Sequence, residues 1–82
     1  MMDPNRIKEL IETQLPDCTA LIFNDMGDGE HFAAEVVSSA FEGLNLVRQH
    51  QLVYGTLGDH MKSDIHALAL KTFTPEQWAQ RS

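Results

Sequence analysis

The sequence predicts an α+β fold in which helices pack on a three-stranded mixed sheet. Three observations carry that expectation. Helix-start signals stand near both ends of the chain, at Asp3-Pro4 and at Thr74-Pro75. Three short apolar runs, 18–23, 31–39 and 65–71, have the β-branched and aromatic content of strands. Between the second and third runs lie about 25 residues of connector and helical pattern, the length of a parallel crossover.

Asp3 is an N-cap and Pro4 stands at the first helical position, where its missing N–H costs nothing. Ile7, Leu10, Ile11 and Leu15 then recur at helical spacing, and Pro16-Asp17 ends the helix. The run C-T-A-L-I-F, 18–23, is the first strand. N-D-M-G-D-G-E, 24–30, is a turn by composition, with Gly27 and Gly29 free to take positive φ, and its length suits a projecting loop better than a tight hairpin.

The second strand opens at His31 and is expected to reach about Ser39. F-E-G-L-N, 41–45, connects it to a helical pattern over Leu46–Met61, with Leu46, Val47, Val53, Tyr54, Leu57 and Met61 on or near one face. Gly55 and Gly58 weaken its second half by roughly 1 kcal/mol each relative to Ala, so it is expected to break or tighten there into two helical pieces. Lys62-Ser63-Asp64 turns the chain into the third strand, I-H-A-L-A-L-K, 65–71. In T-F-T-P-E-Q-W, Thr74 is an N-cap, Pro75 is at N1, Gln77 completes a capping box, and Trp78 anchors a short terminal helix. The order is α-β-β-α-(α)-β-α, in two layers, and residues 1–82 read as one domain with no repeat or linker.

Composition narrows the functional classes. The 82 residues are 43% hydrophobic, enough for a packed core. A single cysteine, Cys18, excludes an internal disulfide and a cysteine-rich zinc site. The N-terminus shows no continuous apolar stretch, and no run approaches the roughly 18–20 residues that span a bilayer. A cytoplasmic protein with a reduced Cys18, away from membranes, is the expectation. With 6 Lys+Arg against 12 Asp+Glu the net charge is −6, which favours a protein partner over a phosphate backbone. No nucleophile elbow surrounds Ser38-Ser39 and no glycine-rich phosphate loop follows a strand, so nothing points to an enzyme.

Two histidines frame the candidate site. The first two strands, joined by a hairpin loop, run antiparallel; the second and third, joined by a helical crossover, run parallel. Parallel strands begin at the same edge of a sheet, with neighbours about 4.8 Å apart. His31 begins the second strand and His66 lies one residue into the third, so both imidazoles are expected within one ligand's reach provided the third strand lies beside the second and in register with it. Neutral imidazoles suit a borderline metal such as zinc or iron. A closed tetrahedral site needs four ligands, and Cys18 is not obviously at that edge, so remaining donors would come from a partner. A strand histidine taken singly is ordinarily a packed or half-exposed residue, and that reading stands beside the ligand one.

The run V-V-S-S-A-F-E-G-L-N-L-V-R-Q-H-Q-L-V-Y, 36–54, followed by I-H-A-L-A-L-K-T-F-T-P-E-Q-W, 65–78, resembles the BolA family. G-D-G-E-H-F, 27–32, resembles its bacterial branch with a histidine in or beside the first hairpin loop. The resemblance implies a class II KH-like fold. It also implies pairing with a monothiol glutaredoxin, in which a 2Fe–2S cluster is shared with the glutaredoxin cysteine and glutathione. The family's near-invariant histidine falls on His66 and its loop ligand on His31. The isolated protein would hold no cofactor, as monomer or homodimer.

The family is also known for DNA-binding regulators. Its helix often carries Arg-His-Arg where this chain reads Gln49-His50-Gln51, with Arg48 one place earlier. Arg48, His50 and Lys62 are therefore the weaker candidates for contact with a partner or nucleic acid. Y-G-T-L-G, 54–58, contains the GxxG of KH backbone clamps, but Asp59 follows at once, and a helix break explains it as well. His50 and His60, about 15 Å apart along a continuous helix, could not share a metal. Cys18 lacks the basic neighbours that activate a thiol.

Overall fold

The computed structural model of the chain describes residues 3–24, 31–63, 65 and 67–81. In chain order they form α1 (Pro4–Gln14), β1 (Thr19–Phe23), β2 (His31–Val37), a 3-10 turn (Ser39–Phe41), α2 (Leu46–Leu57), α3 (His60–Ser63), β3 (Ala67–Phe73) and α4 (Pro75–Gln80). The order is the one the sequence predicts, with the 3-10 turn added. Among the described residues no helix is long and apolar enough to cross a membrane.

The terminal caps form as the sequence dictates. The Asp3 side chain accepts from Asn5 N–H at 2.8 Å, Pro4 opens α1, and Ile7 and Ile11 point into the core, fully buried. At the other end both halves of the Thr74–Gln77 capping box are made.

The sheet has the order β1-β2-β3. β1 pairs antiparallel with β2, Phe23 opposite Ala33 and Thr19 opposite Val37. β3 pairs parallel with β2, His31 opposite Ala67 and Val37 opposite Phe73. Because strand side chains alternate between faces, Phe32, Ala34 and Val36 enter the helix-covered core with Ala20 from β1. Ala33 and Glu35 take the outer face, beside Leu21 and Phe23, which are more than a third exposed.

Two strand boundaries differ from expectation. β2 stops at Val37, because Ser38 leaves the strand path: its hydroxyl donates to Pro16 O at 2.6 Å and accepts from Ala40 N–H to cap the 3-10 turn. β3 starts and ends two residues later than 65–71. Ile65 is fully buried and donates its N–H to His60 O at 2.8 Å, so it closes α3 instead of opening the strand. At the far end Ser38 N–H donates to Phe73 O at 3.1 Å, prolonging the ladder.

The long helical pattern divides where the glycines weaken it. Gly58 caps α2 at φ +53°, donating to Tyr54 O, and α3 is a separate piece. The apolar face expected on this pattern is corrected in part. Val53 and Leu57 are buried and Met61 packs on the core, but Leu46 and Val47 are 60% and 66% exposed. Gln49 and Thr56 complete the buried stripe. Gln49 tolerates burial because its amide is fully engaged: Nε2 donates to Phe41 O and Leu44 O, and Oε1 accepts from Thr72 Oγ1 at 2.6 Å.

α4 adds a cap on the outer face. Trp78 meets Phe73 edge-on at 5.2 Å between centroids, and Arg81 lies 4.1 Å over the Trp78 ring while its guanidinium reaches Glu35 at 3.1 Å.

α1 is fastened to β1 by a charged clamp. Lys8 Nζ donates to Glu12 at 2.7 Å and to Ala20 O at 2.6 Å, while Glu12 accepts from Ala20 N–H at 2.9 Å. The hydrogen bonds from Lys8 and then Ala20 hold the Glu12 carboxyl below its usual range. A carboxylate whose pKa falls on folding stabilises the fold above its unfolded pKa and loses that contribution as pH drops through the folded one. We predict that Glu12→Gln costs about 1 kcal/mol at neutral pH, below the roughly 1.5–3 kcal/mol of hydrogen bonds to charged groups because the site is partly solvated. The difference from wild type should shrink as thermal melts are taken progressively below the ordinary carboxylate range; a gap unchanged in acid would contradict the clamp.

Candidate functional site

Parallel pairing of β2 and β3 fixes the geometry of the candidate edge. His31 is the first residue of β2 and is half-buried; its register partner is Ala67, the residue that follows His66 in the chain. The expectation that the two strands start at one edge therefore holds. His66 itself lies outside the described residues, as do Asp25, Asp28 and Glu30 of the first loop.

Among the described residues no three His, Cys, Asp or Glu side chains gather as a metal site. Cys18 precedes β1 at the opposite end of the sheet, where Thr19 pairs with Val37. Six residues of β2 separate that end from His31, roughly 20 Å at strand rise. Cys18 is thus unavailable to the histidine edge. Its thiol is pushed up to about 11, by burial first and then by the negative charge of Glu12. The thiolate is the reactive form. A rise of about two pKa units leaves roughly a hundredfold less of it at neutral pH. We predict that iodoacetamide alkylates Cys18 about a hundredfold more slowly than free cysteine at pH 7.5, with the difference lost in denaturant. Folded-state labelling at the free-thiol rate would refute this.

The weaker candidates separate. Arg48 is exposed on α2, and its N–H takes the Asn45 cap at 2.9 Å. His50 is half-buried, edge-on to Tyr54 at 6.5 Å, with Nε2 enclosed and lacking a hydrogen-bond partner. The side chain of Lys62 lies outside the described residues. Gln49, the first place where the family's helix often carries arginine, faces the interior and joins α2 to β3 through Thr72. His50 and His60 sit on separate helical pieces, so distance along one helix axis no longer describes them.

GxxG has the wrong geometry for a backbone clamp. A clamp needs an exposed loop, but Gly55 lies within α2, and Thr56 and Leu57 between the glycines are buried. Thr56 Oγ1 turns inward to Val53 O at 2.6 Å. The motif is the last turn of α2 and its glycine cap.

Sequence reading missed the polar anchors Gln49 and Ser38. A signal for Gln49 was present: it stands four and eight residues before Val53 and Leu57, in the apolar register of the helix. Ser38 gave none, because its role depends on Pro16 and Phe73, distant in the chain.

Residues 13–77 match the BolA family, described as BolA-like protein. The chain is similar to BolA-like protein 1 of Homo sapiens, 43% identical over 56 residues, covering 68% of this chain and 41% of that protein. It is 46% identical over 54 residues to the DNA-binding transcriptional regulator BolA of Vibrio cholerae, covering 66% of this chain and 51% of that one. The matched segments thus span about half the length of those relatives or less. A solved structure of a BolA homologue from Coxiella burnetii superposes with a TM-score of 0.84 at 43% identity, covering 98% of this chain and 100% of that one. The chain belongs to the BolA family.

Proposed function

We propose that this protein is a non-catalytic partner of a monothiol glutaredoxin, completing the ligation of a shared 2Fe–2S cluster in iron–sulfur handling or in iron and redox regulation. His66 is the main ligand in this reading and His31 the second. The observation that supports it most is the parallel register of β2 and β3, in which His31 stands opposite the residue following His66. Imidazole donors can replace cysteine on one iron of such a cluster. Two imidazoles supply only part of a cluster's coordination, so in this reading glutaredoxin and glutathione provide the remaining ligands.

A nucleic-acid-binding regulator is the alternative, favoured by the name of the Vibrio cholerae relative. The inward-facing Gln49, the buried centre of GxxG and the net charge of −6 weigh against it here.

The reading is tested by mixing the purified protein with cluster-loaded monothiol glutaredoxin and glutathione and following visible absorbance and circular dichroism. The expected outcome is a changed cluster spectrum with a one-to-one complex. His66→Ala should abolish the changed spectrum and His31→Ala should alter it, with far-ultraviolet dichroism of both variants intact. An unchanged spectrum in His66→Ala would remove the ligand assignment. Absence of a complex, with salt-sensitive duplex binding instead, would favour the regulator.

A further inference from the structure

β3 is the last strand of the sheet, and its outer side carries no strand among the described residues. The Phe73 carbonyl accepts from Ser38 N–H on the β2 side, so the main chain of Phe73 faces into the sheet. Main-chain groups alternate direction along a strand, so Leu70 and Thr72 turn their N–H and C=O outward. No main-chain hydrogen bond reaches those outward groups from another described residue. They form an open template for a further strand.

The surroundings specify what fits. A groove of about 270 Å³ runs along this edge, with Leu70–Phe73 on one side and Leu46 and His50 of α2 on the other. Leu46 is 60% exposed there, an apolar wall without a cover. Lys71 is exposed and stands opposite Glu35 in the register, but the Glu35 carboxylate is held by Arg81 at 3.1 Å. Among the described residues Lys71 has no ion-pair partner.

We propose that the outer edge of β3 docks an extended segment of a partner protein, apolar with a central acidic residue, which adds as a fourth strand and sets that residue beside Lys71. Charge selects this occupant. A second copy pairing antiparallel through the same edge and centred on Lys71 would set two Lys71 ammonium groups directly opposite one another, a destabilising cross-strand pair. A phosphate backbone would meet one lysine in the groove of a chain carrying −6. An acidic, extended peptide meets both the main-chain template and the unmatched charge.

The test uses the whole protein and a blocked six-residue peptide of alternating valine and threonine with one central glutamate. Amide exchange by NMR should slow about tenfold or more at Leu70 and Thr72 on saturation, as expected for newly paired edge amides. Lys71→Glu should weaken binding of the glutamate peptide roughly fivefold, and a peptide with lysine in its place should bind that variant better than wild type. Lys71 is exposed, so the fold should tolerate the change. No protection at Leu70 and Thr72, or equal binding of both peptides to wild type, would overturn the proposal. Protection by a single-stranded oligonucleotide but not by the peptide would overturn it too, giving the edge to nucleic acid.

Discussion

Strand β2 is paired on both sides, antiparallel to β1 and parallel to β3, and most of the architecture depends on that double pairing. Its side-chain alternation assigns Phe32, Ala34 and Val36 to the core and leaves Ala33 and Glu35 on the outer face. A slip of one residue would exchange these sets and expose the core face. The same register puts the starts of β2 and β3 at one edge, so the hydrophobic pattern that stabilises the sheet also sets the position of His31.

A parallel pair needs a long connection, and here that connection is fastened by buried polar groups. Ser38 ends β2, caps the 3-10 turn, and reaches Pro16 and Phe73. Gln49 gathers Phe41, Leu44 and Thr72, tying the entry of α2 to β3. Each such bond contributes modestly, about 1 kcal/mol, while leaving a partner buried and unpaired costs about 1–3 kcal/mol. Direction matters beyond energy: an aliphatic residue at 49 would satisfy burial but not the carbonyls of the connector.

These polar ties mark what could and could not be read in the chain. Caps are local, so Asp3-Pro4 and Thr74-Pro75-Gln77 were legible from a few residues. The parallel crossover was legible from its length, and with it the shared strand edge. The start of β3 was not, because Ile65 has strand composition yet is held by His60 and buried in the core, a tertiary effect. Apolar periodicity over Leu46–Met61 likewise mistook exposed Leu46 and Val47 for core and overlooked Gln49. The GxxG string was visible, but the burial of Thr56 and Leu57 that changes its meaning was not.

An incomplete site has a thermodynamic consequence that a closed one lacks. If part of a cluster's ligands come from this chain and the rest from a partner, neither protein alone offers the full coordination free energy. Linkage then requires that the cluster tighten the protein–protein complex by the same factor by which the complex tightens the cluster. In the proposed reading, cluster occupancy and complex formation are therefore one coupled variable, and the protein needs no catalytic group to report iron status. Few side chains are required for that role: the two proposed imidazole ligands and a strand pair that keeps its register. The double pairing of β2 fixes His31 opposite Ala67, while the Ser38 and Gln49 ties fasten the opposite end of the strand pair at Phe73 and Thr72.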